Sequence, residues 1–107
     1  MKHFRLEWTD FALSDLKDHH SFLEKTVSLE YADKVVLSII SRAEQLEKFP
    51  LSGKREFLLE DLRQEHRYLV ETHWKIIYRL IGNVVYITDV FDTRQAPSKL
   101  TVKQNKK

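Results

Sequence analysis

An α+β fold is predicted by three features of the 107-residue sequence: an N-terminal run of alternating apolar and charged residues, two successive amphipathic helical patterns, and a β-rich C-terminal half punctuated by a Gly-Asn turn. Together they describe a strand, an antiparallel helical hairpin, and a mostly antiparallel twisted sheet on which the hairpin packs. A chain of this length supplies about one core, so a single domain spanning residues 1–107 is expected. With 42% hydrophobic residues and only two Gly and two Pro, it can bury enough apolar surface to offset its ordering entropy.

The first strand rests on Phe4, Leu6 and Trp8, which alternate with Arg5 and Glu7 in the period of a half-buried strand. Thr9 or Asp10 then caps a short amphipathic helix whose apolar stripe is Ala12, Leu16 and Leu23. After a break near Thr26 to Ser28 a stronger helix follows. Its stripe is Ala32, Val35, Val36, Ile39, Ala43, Leu46 and Phe49, and Pro50 and Gly53 stop it. So short a connection makes the two helices antiparallel neighbours.

From Glu56 onward the period changes, and β-rich runs cover Arg67 to Thr72, Trp74 to Ile81 and Val84 to Phe91. Gly82-Asn83 reads as a two-residue hairpin turn, with Gly supplying positive φ at the first central position. Pairing Ile81 with Val84 sets Arg79 opposite Tyr86, Ile77 opposite Thr88 and Lys75 opposite Val90 on one face. Trp74, Ile76, Tyr78 and Leu80 share the other face with Phe91, Asp89, Ile87 and Val85. The second face is nearly all apolar and is expected to meet the helices, leaving Lys75 and Arg79 on an open, basic, concave side. Trp8, Trp74 and Phe91 are expected in the core.

The net charge of +2 hides an asymmetry: residues 1–53 hold 7 Lys/Arg against 9 Asp/Glu, and residues 54–107 hold 11 against 7. Past Asp92, the cations Arg94, Lys99, Lys103, Lys106 and Lys107 face no acid, a pattern that suits phosphate or an acidic partner segment. From about residue 100 a solvated, frayed basic tail is expected. The absence of Cys excludes disulfides, thiolate zinc sites and cysteine nucleophiles, and suits a reducing cytoplasm. No h-region and no run of about 18 apolar residues is present, so neither export nor a membrane partner is expected. His19 and His20 are adjacent, and His3, His66 and His73 lack ligand spacing, so no metal is expected. No phosphate-binding Gly loop or nucleophile elbow occurs, and no cofactor is implied.

The order of these elements carries a resemblance. A strand, a helical hairpin ending in Phe49-Pro50 with Gly53-Lys54 just after, then Trp74 to Leu80, Val84 to Val90 and Asp92-Thr93-Arg94-Gln95-Ala96-Pro97 resembles the RelE/ParE toxin superfamily over roughly residues 4 to 100. The resemblance implies the toxin of a type II toxin–antitoxin, or plasmid stabilisation, module. Such a toxin is held inactive by a cognate antitoxin that wraps it. An apolar antitoxin groove also favours self-association of the toxin purified alone, as a homo-oligomer, or a toxin–antitoxin hetero-oligomer in the cell.

The superfamily divides by target. RelE-like members cut messenger RNA on the ribosome, whereas ParE-like members inhibit DNA gyrase without catalytic residues. Metal-independent RNA cleavage needs a group to deprotonate the 2′-hydroxyl, cations for the crowded phosphate, and a donor to the leaving oxygen. By resemblance the ribonuclease's basic positions fall on Arg67, Lys75 and Arg94. Its second basic position on the Arg67 strand is Leu69, however, and no Tyr follows Tyr86. The long hairpin and the Phe49 to Lys54 corner look more ParE-like. Lys54, Arg79, Arg94 and Lys99 are the candidates for contacting RNA or a protein partner. A RelE-like ribonuclease and a member that only binds its antitoxin are the alternatives.

Overall fold

The computed structural model describes residues 3–56 and 65–94. Lys99 and the basic tail lie outside the described residues. The first strand, β1, is Arg5–Trp8. Thr9 ends it by doing two things: its Oγ1 accepts from the Ala12 amide at 3.1 Å and donates to the Ile87 carbonyl at 2.9 Å. One side chain therefore caps the next helix and fixes where the chain leaves the sheet.

Helix α1 runs Asp10–Thr26. Expected to be short, it has 17 residues and is the longer of the two, because the buried Leu16 and Leu23 continue one stripe past its polar residues. Only Val27 and Ser28 separate it from α2, Leu29–Ala43. Both of their amides donate to the Leu23 carbonyl, and Ser28 Oγ caps α2 by accepting from Tyr31 N at 3.0 Å. Across the hairpin His20 Nε2 lies 2.7 Å from Asp33 Oδ1.

A 3-10 turn, Glu44–Glu47, follows α2 and keeps Leu46 in the core. The apolar stripe does not reach Phe49, which is 55% exposed, because the change of helical period after Ala43 rotates it outward. Strand β2 is Lys54–Arg55, β3 is Arg67–Glu71, β4 is Trp74–Ile81 and β5 is Val84–Asp92. Among the described residues these form one five-stranded sheet in the order β1-β5-β4-β3-β2. All neighbours are antiparallel except β1, which runs parallel to β5. Gly82 has φ 62, as its turn requires, and Thr72 adopts φ 58 in the turn between β3 and β4.

The β4–β5 register departs from the simple ladder. Arg79 faces Tyr86 as expected, but Ile77 faces Asp89 rather than Thr88, and Lys75 faces Phe91 rather than Val90. Thr88 is the extra residue of a β-bulge, and its hydroxyl stays on the Ile77 carbonyl at 3.4 Å. An inserted residue reverses the facing of every later side chain on its strand. Val90 consequently enters the helix-side core with Trp74, Ile76, Tyr78 and Ile87, while Asp89 and Phe91 move to the Lys75 face.

The main core lies between the helices and the sheet, with α1 against β5 and α2 against β3 and β4. Ala12, Ala32 and Ala43 are fully buried where the layers approach. Trp74 belongs to this core and Trp8 packs against it, but Phe91 joins Ile77 and Tyr68 in a second cluster on the opposite face. That face is therefore not open at its centre: Ile77 is 0% exposed and Phe91 9%. The outer edge of β1 is blocked at one end, since Phe4 N donates to the Glu47 carbonyl at 2.7 Å, which limits strand-to-strand aggregation there.

Candidate functional site

The three cations assigned to RNA cleavage occupy three separate places. Arg67 is paired with Tyr78 and Lys75 with Val70, so the pleat of β3 and β4 sends them to opposite faces of the sheet. On the helix side, Arg67 donates from Nη1 to the Gly53 carbonyl at 3.1 Å and from Nη2 to Glu65 at 2.8 Å. On the other side, Lys75 Nζ is 2.6 Å from Glu56 Oε2 and 4.3 Å from the Tyr68 ring centroid. The Glu56 side chain is 3% exposed and that of Lys75 18%, so this pair is a neutral, largely desolvated unit rather than a free cation. Asp89, brought to the same face by the bulge, is also buried. The centre of the expected basic concave surface is thus an apolar cluster in which Lys75 is neutralised by Glu56.

Arg94 lies in the turn after β5 and closes on Asp92. Its backbone N, Nε and Nη2 all donate to that carboxylate, at 2.9, 3.1 and 3.0 Å. Burial works against a charge on Asp92, but these hydrogen bonds and the guanidinium outweigh it and hold the carboxyl below its ordinary value of 3.8. The same contact pushes the Arg94 pKa up. A lowered folded-state pKa stabilises the fold above the unfolded value, and that contribution is lost as pH falls through the folded one. The thermal midpoint should therefore decline on acidification below about pH 4, and Arg94→Ala should flatten that decline. The guanidinium is 60% exposed, so the effect will be modest and salt-sensitive.

Arg94 and Asp92 rim a cleft of about 680 Å³ whose other lining residues are Asp15, Asp18, His19, Phe22 and Trp74. His19 and His73 flank the Trp74 ring at 4.6 and 4.5 Å between centroids. Burial first, then the Arg94 charge, lowers the His73 pKa despite the opposing Asp92, which keeps this imidazole neutral at pH 7. Arg79 and Lys54 carry no ion pair among the described residues, and they stand on different strands of the sheet, β4 and β2. Leu69, at the position where a second strand cation would stand, is buried in the core.

A family model for the ParE toxin of the type II toxin–antitoxin system parDE matches residues 6–97. The chain belongs to the ParE toxin family. It is the toxin component of a type II toxin–antitoxin system. Among solved structures, a chain of the chromosomal ParDE TA system from P. aeruginosa superposes with a TM-score of 0.71 at 21% identity. The match covers 84% of this chain and 96% of that one, and it establishes the shared fold. No curated protein matches the chain.

Leu13, Phe22, Leu29, Leu37 and Ile40 of the helical hairpin are exposed, as are Phe49 and Leu51 at the corner after it. Leu13 and Phe22 stand on opposite sides of α1, so these exposed side chains are spread over the hairpin rather than gathered in one patch. Among the described residues no group of His, Asp and Glu could hold a metal ion, and no helix is long and apolar enough to cross a membrane.

Four contributors escaped the sequence reading. Glu56 neutralises Lys75, Asp15 and His19 reach β5 from α1, and Arg42 reaches β3 from α2. Only Asp15 and His19 left a signal, being one turn apart beside the apolar stripe of α1.

Proposed function

We propose that this ParE-family toxin acts as a single domain that arrests growth by binding DNA gyrase, and that a cognate antitoxin neutralises it in the cytoplasm by covering its helical hairpin. One observation carries this reading: the cations a ribonuclease would need to gather around one phosphate are split between the two faces of the sheet, and each is engaged by a carboxylate. Phosphodiester cleavage depends on general acid, base and charge-stabilising groups converging within hydrogen-bond reach of one site. Target inhibition by binding has no such requirement.

In this reading Lys54, Arg79, Arg94 and Lys99 contact partners rather than catalyse. Arg67 and Lys75 serve the fold, through the Gly53 corner and the Glu56 pair. The test is a pair of assays with purified toxin. Supercoiling by purified gyrase should fail in its presence, and messenger in a cell-free translation mixture should show no new 5′ ends by primer extension. Discrete cuts abolished by Lys75→Ala would instead establish a RelE-like ribonuclease. Unaffected gyrase and intact messenger would leave a chain whose remaining role is to bind its antitoxin.

A further inference from the structure

Helix α1 stands in for a strand beside β5, and it does so for one residue only. Strand β1 ends opposite Ile87, and beyond it Asp15 accepts from the Val90 N–H while His19 meets the Val90 carbonyl. Two residues on, Asp92 repeats the situation. Thr93 N donates to the His73 carbonyl, so the alternation turns the N–H and C=O of Asp92, which is paired with Trp74, away from β4 and toward α1. There the helix presents Phe22, one turn past His19, whose ring can bond neither group. The Asp92 N–H and C=O have no hydrogen-bond partner among the described residues.

The cleft of about 680 Å³ between α1 and the end of β5 is the space this leaves. Its volume falls within the roughly 300–1,000 Å³ of sites that enclose a ligand. Phe22 stands on its wall 59% exposed. The charges there are unequally matched. Arg94 occupies Asp92, and Asp15 is buried against β5, but Asp18 is exposed and has no cation or donor among the described residues. The cleft thus combines an unpaired backbone donor and acceptor, an open aromatic ring and one unneutralised carboxylate.

We propose that this cleft is where the toxin grips gyrase, through an extended segment of the gyrase chain that carries a Lys or Arg. A carbonyl of the segment accepts from Asp92 N–H, an apolar side chain covers the Phe22 ring, and the basic side chain pairs with Asp18. The segment continues beside β5 where α1 stops imitating a strand. The inference rests on the gyrase reading above and adds the place and the chemistry of the contact. A peptide fits better than a nucleic acid, since a backbone slot at strand spacing accepts another backbone and Asp18 repels phosphate. Phe22 lies on α1, so a partner laid across the hairpin at this point closes the cleft.

The test measures supercoiling by purified gyrase against increasing wild-type toxin, Phe22→Ala, Asp18→Lys and Asp18→Glu, together with residue-resolved amide exchange of isotope-labelled toxin bound to gyrase. Phe22→Ala and Asp18→Lys should each raise the half-inhibitory concentration at least about tenfold, and Asp18→Glu, which keeps the charge, should stay within about threefold of wild type. Both positions are exposed, so the thermal midpoints should match that of the wild type. The Asp92 amide should exchange at least about tenfold more slowly in the gyrase complex than in free toxin. Wild-type inhibition that both variants retain within about twofold, with Asp92 unprotected, would overturn the cleft while the gyrase reading stands. If wild-type toxin leaves gyrase unaffected, that reading fails and the inference with it. Protection of Asp92 by the antitoxin but not by gyrase would overturn the choice of partner.

Discussion

Replacing Gly53 by Ala should lower the free energy of unfolding by about 3 kcal/mol or more, although the change adds one methyl group. A Cβ at this position would lie 2.6 Å from Tyr78 Oη, 2.7 Å from the Tyr68 carbonyl oxygen and 2.8 Å from Tyr78 Cε1. Neither neighbour can withdraw: Tyr78 is 0% exposed within the core, and the Tyr68 carbonyl belongs to the backbone of β3. The Gly53 amide also donates to Tyr78 Oη at 2.9 Å, so any shift that relieves the clash breaks a buried hydrogen bond. Burial raises the Tyr78 pKa, the Gly53 bond opposing it, and the hydroxyl stays neutral at physiological pH.

Urea denaturation of Gly53→Ala, Tyr78→Phe and the double variant separates these effects. Tyr78→Phe alone should cost about 1–2 kcal/mol, by stranding the Gly53 N–H. The double variant should be less unstable than the sum of the two, because removing Oη also removes the closest contact, though the Tyr68 carbonyl still obstructs. Strict additivity would mean that the corner moves as a rigid unit away from Tyr78. The same corner carries Ser52 and Lys54, which with Arg42 line a cleft of about 230 Å³ at the β3 edge.

Much of this architecture was legible because local periodicity and turn chemistry agree with the tertiary arrangement. Thr9 and Ser28 cap where a hydroxyl precedes an apolar stripe, and Gly82 takes the positive φ that its turn demands. What could not be read was the bulge at Thr88. Nothing in Val84 to Asp92 marks an extra residue, since both registers place apolar side chains on the helix-facing side. That one residue moves Asp89 and Phe91 to the Lys75 face and so decides its character. The site suffered for a related reason. Arg67, Lys75 and Arg94 are visible as cations in the sequence, but their partners Glu65, Glu56 and Asp92 lie 2, 19 and 2 residues away, and Lys75 finds its acid only through the fold. Charge counted along a chain says little about whether a cation is available.

The second large effect is expected at Asp15, where Ala should cost about 3 kcal/mol. Strand β1 ends at Trp8, so the edge of β5 beyond Ile87 has no strand beside it. Helix α1 supplies the missing partners: Asp15 Oδ2 accepts from Val90 N at 2.9 Å, and His19 Nε2 donates to the Val90 carbonyl at 2.7 Å. The N–H and C=O of one strand residue point the same way, and residues four apart on a helix share a face, so two side chains reproduce what one strand residue would offer. Asp15 is 2% exposed, and truncation would leave the Val90 amide buried without an acceptor. Asp15→Asn keeps an oxygen there and should cost only about 1 kcal/mol, because a neutral acceptor is weaker than a carboxylate. Denaturant midpoints of Asp15→Ala, His19→Ala and the pair should show a coupling of about 0.5 kcal/mol or more, since either side chain alone still orients α1 on β5. If Asp15→Asn proved as damaging as Asp15→Ala, the charge rather than the strand-like hydrogen bond would hold α1 in place. The cleft between Phe22 and Arg94 would then depend on a buried charge, which salt screens only weakly.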